Sequence, residues 1–150
     1  MDAREFFCSV RDAVQRREDA PLKLQRMREE CVLKSRREGA RGKGGVTDPS
    51  RRIDAYLDAV GEMERDGRED ELLIERGRLV LMTLSKVDSV GATVLTERYI
   101  NLAPWHEIAR ALGMERDAVR LRESVAFDRI DSEGLAAMGL DELWATVAEG

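Results

Sequence analysis

The sequence predicts an all-α protein, in which a long antiparallel helical hairpin (a coiled-coil-like arm) is followed by a C-terminal helix-turn-helix bundle. Charged residues make up 37% of the 150 residues and aromatic residues only 5%. This composition is typical of extended helices with narrow apolar seams rather than of a thick globule. Three prolines and few β-branched runs argue against a sheet. Apolar residues recur instead at three- and four-residue spacings through most of the chain.

The first helix is predicted over residues 2–38. Its apolar positions alternate spacings of four and three, as in a coiled coil, with one charged interruption at Arg17. Pro21 should kink this helix or start a second one, with Asp19 near the cap. Cys8 and Cys31 are too far apart for a disulfide framework or a zinc site, and we interpret them as small buried apolar residues. The seam comprises Phe6, Val10, Ala13, Ala20, Leu24, Met27 and Cys31.

Residues 39–48, GARGKGGVTD, predict a flexible loop with basic residues in and before it. The loop is either a solvated hinge or an arm that contacts phosphate groups. It is not a P-loop, because no strand precedes it and no Lys-Ser/Thr follows it. The basic positions are Arg36, Arg37, Arg41 and Lys43.

A second long helix is predicted over residues 50–88, capped by Asp48 or Ser50. If unbroken, it would be about 58 Å long at about 1.5 Å per residue. A helix of that length needs a partner surface in water. The first helix provides one, which gives an arm over residues 2–88. A second copy of the chain is the alternative partner, and we expect a homodimer through the arm.

Residues 89–130 predict the helix-turn-helix. Ser89 to Gly91 should break the long helix, and a short helix follows that ends near Asn101. Pro104 suits the first turn of the next helix, and Gly113 suits its left-handed cap. A second helix then begins near Glu115 or Arg116. The predicted apolar faces are Trp105, Ile108, Ala109 and Leu112 on the first helix, and Val119, Ala126, Phe127 and Ile130 on the second.

The net charge of −5 is distributed unevenly along the chain. Residues 1–45 carry 12 Lys+Arg against 8 Asp+Glu, residues 96–130 carry 6 against 6, and residues 131–150 carry none against 5. The last segment therefore predicts an acidic tail, loop-like over 131–140, with a short helix that Asp141 caps. A neutral helix-turn-helix region supports DNA binding only weakly.

The residue types argue against several classes of function. His106 is the only histidine, so no histidine pair is available, and no metal cluster or Ser/His/Asp set is indicated beyond it. We interpret His106 as an exposed helix residue next to Trp105, and we predict no enzyme, no metal and no cofactor. Neither a long apolar run nor a signal peptide is evident, which favours the cytoplasm and no membrane association. No small-molecule substrate is indicated.

The segment RYINLAPWHEIARALGMERDAVRLRESVAFDRI resembles region 4 of sigma factors, the helix-turn-helix that reads a promoter element. The wider layout, over roughly residues 6–130, resembles a family of small phage and prophage proteins described as transcriptional regulators. The wider match is carried by Arg98, Tyr99, Ile100, Trp105, Glu107, Ile108 and Ala109.

Four positions depart from the pattern of that resemblance, in three ways. Glu115 replaces the serine cap, and an acid there suits the helix N-terminus but repels phosphate. Ala118 and Leu121 replace the outward Arg and Gln, and they cannot make bidentate contacts to bases. Arg122 occupies an apolar core position. A one-residue rotation of the helix, with Leu121 inward and Arg122 outward, would repair both departures.

The resemblance implies a DNA-binding regulator of transcription of phage type that acts on duplex DNA. The alternative is a protein-interaction module whose arm docks on a partner such as RNA polymerase and whose helix-turn-helix does not read DNA. The predicted DNA-facing residues are His106, Arg110, Arg116, Asp117, Arg120 and Arg122.

Overall fold

The computed structural model describes residues 2–41 and 49–137. Helices account for 91% of this part of the chain and it contains no strand, which confirms the all-α class. The elements are α1 (Ala3–Arg41), α2 (Pro49–Ser85), α3 (Ser89–Leu95), a π-helical turn (Thr96–Ile100), α4 (Trp105–Leu112) and α5 (Arg116–Ala137).

The chain divides into two compact units, and both long helices contribute to each of them. The larger unit comprises residues 1–15 and 70–150, of which the described part ends at residue 137. The smaller unit comprises residues 16–69. The segment predicted to form the helix-turn-helix thus belongs to the same unit as the first 13 residues of α1 and the part of α2 from residue 70 onward.

The larger unit has a continuous core built around an aromatic cluster. The ring of Phe7 lies 5.8 Å from that of Tyr99 and 5.9 Å from that of Phe127, and Phe6 meets Phe7 edge-on at 5.1 Å. Gly77 lets α2 approach α1 closely, because a Cβ there would lie 3.0 Å from the side chain of Val10. The core therefore joins the start of α1 to α2, α3 and α5.

The smaller unit has a different interior. Gly67 is its one buried residue among those whose burial is described, and every other described residue of this unit is half-buried or exposed. Met27 and Cys31 of α1 line a shallow groove with Arg52 and Tyr56 of α2. The larger apolar side chains of this unit that are exposed are Leu22, Val32, Leu33, Ile53 and Leu57.

The structure corrects two expectations for α1. Pro21 lies inside a helix that continues to Arg41, so the second helix expected to start there does not form, and the alternative, a kink, stays a prediction. Pro21 and Arg17 are both exposed, so water can replace the N–H that the carbonyl of Arg17 would otherwise receive. The predicted loop at 39–48 is helical up to Arg41, and its remaining residues, 42–48, lie outside the described part of the chain.

The long second helix ends three residues before the predicted boundary, at Ser85. The side chain of Asp88 accepts a hydrogen bond from the Gly91 N–H at 2.9 Å and so caps α3. Ser89 therefore begins a helix rather than breaking one. Gly91 also packs against α5, where a Cβ would lie 3.0 Å from that of Ala126.

Two further expectations fail. Residues 131–137 continue α5, with a kink at Gly134 (φ 69°, ψ 157°), rather than forming a loop. Cys8 is exposed, because the buried face of α1 passes through Phe7 and Val10 instead, and Cys31 is only half-buried. The acidic tail from residue 138 onward, including the helix expected from Asp141, lies outside the described residues.

Candidate nucleic-acid interface

The candidate site lies on α4, α5 and the turn that joins them. Gly113 adopts the left-handed conformation (φ 63°, ψ 34°), and the Met114 N–H donates to the Ala109 carbonyl at 2.9 Å. α5 begins at Arg116, as predicted. Pro104 lies one residue earlier than expected, since it is the extended N-cap (ψ 156°) and Trp105 is the first helical residue.

The two predicted apolar faces are the buried ones. Ile108 and Ala109 of α4 form a cluster with Val119 of α5 and Val94 of α3, while Trp105 and Leu112 pack against it half-buried. Ala126, Phe127 and Ile130 enter the main core. With these faces covered, the remaining surface of the α4–α5 pair is available to a ligand.

All six predicted DNA-facing side chains are exposed on this surface: His106, Arg110, Arg116, Asp117, Arg120 and Arg122. Arg116 and Arg120 are four residues apart and share one face of α5, as His106 and Arg110 share one face of α4. Leu121 is 65% exposed, so the one-residue rotation that would turn it inward does not occur. The neighbouring buried residue is Val119, which fixes the helix in this orientation.

Two arginines converge on the indole ring of Trp105. The guanidinium carbon of Arg98 lies 4.7 Å from the centroid of that ring, and that of Arg120 lies 5.7 Å from it. Both distances are within the range of a cation–π interaction. Arg120 was expected in the interface, but Arg98 was noted only as part of the family resemblance.

A π-helical turn positions Arg98. The Asn101 N–H donates to the Thr96 carbonyl at 3.0 Å, a span of five residues. Leu102 then has a positive φ of 58°, which is rare for a side chain of its kind. The Ala103 N–H donates to the Glu97 carbonyl at 2.8 Å, and Arg98 Nη1 donates to the Ala103 carbonyl at 3.3 Å. The extra residue in the turn and the strained loop thus bring Arg98 onto α4.

Two positive charges lie near Arg98. Burial lowers the pKa of its guanidinium, and the charges of Arg11 and Arg120 lower it further, while Tyr99 and Glu123 act in the opposite direction. In the described part of the chain, Arg11, Arg98 and Arg120 form no ion pair with a carboxylate. Arg98 and Arg120 are therefore close to each other without a carboxylate in contact with either.

Glu123 is a buried carboxylate, 4% exposed, that sequence reasoning missed. Tyr99 donates its hydroxyl to Oε2 at 2.9 Å, and Arg4 donates Nη1 to Oε1 at 3.1 Å. The guanidinium of Arg4 also lies 4.9 Å from the centroid of the Phe127 ring. The signal was present in the sequence: Glu123 is four residues after Val119 and three before Ala126, on the apolar face of α5.

This network attaches the start of α1 to α5. The Ala3 N–H donates to Asp131 Oδ1 at 2.7 Å, next to Arg4 on α1 but eight residues after Glu123 on α5. Burial raises the pKa of Tyr99, and so do the charge of Glu123 and the hydrogen bond to it. The neutral Tyr99 hydroxyl therefore contributes its full share to the free energy of unfolding below the ordinary tyrosine pKa of about 10, and this contribution is lost as the pH rises above that value. Glu123 therefore stabilises the fold beneath the candidate interface and is not part of the exposed surface.

The basic loop contributes no described side chain to this site. Arg36, Arg37 and Arg41 belong to the helical backbone of α1, but their side chains lie outside the described part, as does the whole of Lys43. No group of three His, Cys, Asp or Glu residues able to hold a metal ion occurs among the residues described. Nor is any helix in that part long and apolar enough to cross a membrane.

Comparison with protein-family models, with curated proteins and with solved structures gives no match. Assignment of a function therefore depends on the geometry of the site and on the chemistry of its residues.

Proposed function

We propose that this protein is a DNA-binding regulator of transcription of phage type. In this proposal the α4–α5 pair lies on duplex DNA, and the two long helices bring two copies of the chain together. One observation carries it: every side chain predicted to face DNA is exposed, while the apolar faces of the same two helices are buried.

The composition of the exposed face favours contacts to phosphates over direct base reading. Arg116 and Arg120 can reach phosphate oxygens or a guanine edge. Ala118 is half-buried and Leu121 carries no hydrogen-bonding group, so neither can make bidentate contacts to a base. Leu121 suits a thymine methyl group instead. Asp117 between the arginines weakens the electrostatic attraction, so modest affinity with limited sequence preference is expected.

Dimerisation is proposed because of the exposed apolar side chains of the smaller unit. The parts of α1 and α2 in this unit have no described side chain that is buried, so they gain little from each other, since most helix stability in proteins comes from packing. A second pair of helices would cover Leu22, Leu33, Ile53 and Leu57, as in a four-helix bundle. Two copies would also present two DNA-binding surfaces.

The second candidate is a protein-interaction module that does not read DNA. It is favoured by Leu121 and Val125, which are 65% and 45% exposed and lie one turn apart on α5. Such an apolar pair beside arginines also suits the surface of a protein partner such as RNA polymerase.

Fluorescence anisotropy with a labelled duplex separates the two candidates. The regulator should bind at about 50 mM salt and lose affinity linearly with the logarithm of the salt concentration. Absence of binding to any duplex at that salt would refute the regulator and leave the interaction module.

A further inference from the structure

The arrangement around Trp105 has the properties of a built anion site. The indole packs half-buried against the cluster of Val94, Ile108 and Val119, so its ring is held in place. Arg98 is fixed at 4.7 Å from that ring by stacking and by its hydrogen bond to the Ala103 carbonyl. Arg120 approaches the same ring from α5 at 5.7 Å. Two chain segments thus bring two guanidinium groups to one indole.

No described carboxylate forms an ion pair with either arginine. Glu123 is the carboxylate whose charge acts on Arg98, but its oxygens already accept hydrogen bonds from Tyr99 and Arg4. Arg11 adds a third positive charge within electrostatic range. Like charges placed together destabilise the fold unless a counter-ion offsets them. Arg98 uses one of its five N–H donors on Ala103, and the others are available to an oxyanion.

We infer that Arg98, Trp105 and Arg120 form a binding site for a phosphoryl group. Arg98 is the fixed donor, Trp105 orients both guanidinium groups, and Arg120 supplies the second set of N–H donors. A phosphate of the DNA backbone and a free phosphate ion share this chemistry. The DNA occupant rests on the proposed function, whereas the anion site does not.

Trp105 provides a direct readout of the site. The chain has two tryptophans, so a Trp144→Phe background leaves Trp105 as the only source of indole fluorescence. In that background, inorganic phosphate is titrated at constant ionic strength set with chloride. We expect a saturable change in Trp105 emission, and Arg98→Gln or Arg120→Gln should weaken phosphate binding by about tenfold.

Arg129→Gln is the matched control, because Arg129 is also exposed on α5 but lies nine residues, about two and a half turns, from Arg120. It should leave phosphate binding unchanged. Arg98→Lys keeps the charge and loses the planar fork, so it should also weaken binding. This second variant serves if the thermal midpoint shows that Arg98→Gln is unfolded. Absence of a saturable change, or equal affinities for Arg98→Gln and Arg129→Gln, would overturn the site.

A parallel experiment with duplex DNA shows whether the site binds a phosphate of the DNA backbone or only a free phosphate ion. If DNA occupies the site, Arg98→Gln should lower the slope of affinity against salt by about one unit. Phosphate binding without any DNA binding would uphold the anion site and refute the proposed function. DNA binding with an unchanged slope in Arg98→Gln, together with no phosphate response, would refute the site and uphold the proposed function.

Discussion

The larger and smaller units differ in how they bury apolar residues, although the same two helices contribute to both. Every buried hydrophobic side chain of the described chain belongs to the larger unit. Within α1, Phe7 and Val10 are fully buried, whereas Leu24 and Met27 of the smaller unit are only half-buried. The same long helices therefore contribute buried packing in one unit and almost none in the other, so their length does not indicate where the fold is stable. The larger unit carries a core of its own, and the smaller unit presents apolar surface that a partner can cover.

The largest effect is expected in the aromatic cluster. Phe7→Ala should lower the free energy of unfolding by about 3–5 kcal/mol, because it removes a fully buried ring that packs against both Tyr99 and Phe127. Met27→Ala in the smaller unit should cost clearly less, because Met27 is only half-buried. Denaturant titration followed by circular dichroism measures both values. Equal losses would remove the distinction between the two units.

The second effect concerns association. Ile53→Asp with Leu57→Asp should dissociate a homodimer, because each side chain gives about 1.5–3 kcal/mol when fully buried at an interface. Both are more than half exposed in the single chain, so its fold should tolerate the change. Light scattering over a range of micromolar concentrations gives the mass. A monomeric wild-type protein at tens of micromolar would contradict the proposed dimer.

The buried carboxylate gives the third effect. Glu123→Ala should destabilise the larger unit by about 1–3 kcal/mol, because the buried Tyr99 hydroxyl loses its acceptor. Most of this loss should disappear in a Tyr99→Phe background, which a double-mutant cycle of unfolding free energies measures. Arg4 contributes less, because its side chain is 54% exposed. Additive losses in the cycle would show that the two groups do not interact.

The smallest effect should come from the exposed face of α5. Leu121→Ala should change the free energy of unfolding by less than about 0.5 kcal/mol, since the side chain is 65% exposed. Val119→Ala, two residues earlier and fully buried, is the matched comparison and should cost clearly more. A large loss for Leu121→Ala would mean that this residue is buried after all.

Local signals made the α4–α5 pair predictable. Gly113 marks the turn because glycine tolerates its left-handed conformation, and the period of Val119, Ala126 and Phe127 marks the buried face. These signals act over a few residues, so a single sequence contains them. The exposure of Arg116 and Arg120 then follows from their distance from that face.

Other features depend on more than the local helical pattern. Glu123 is buried because Arg4, 119 positions earlier, and Tyr99 satisfy its oxygens. Arg98 reaches Trp105 only through the π-helical turn, which periodicity at 3.6 residues does not reveal. Pro21 starts no second helix, because an exposed position can use water in place of the lost hydrogen bond. Packing between distant residues, an irregular turn and solvent exposure are all outside what local rules describe.

The central claim is that DNA binds to the α4–α5 face and not to the charged surface of the smaller unit. Arg116→Ala with Arg120→Ala and Arg26→Ala with Arg28→Ala remove the same charge from exposed positions in the two units. Anisotropy with one duplex at about 50 mM salt compares them directly. We expect the first pair to abolish binding with helical content and thermal midpoint nearly unchanged, and the second pair to bind as the wild type does. Equal loss of affinity in the two pairs would contradict the account.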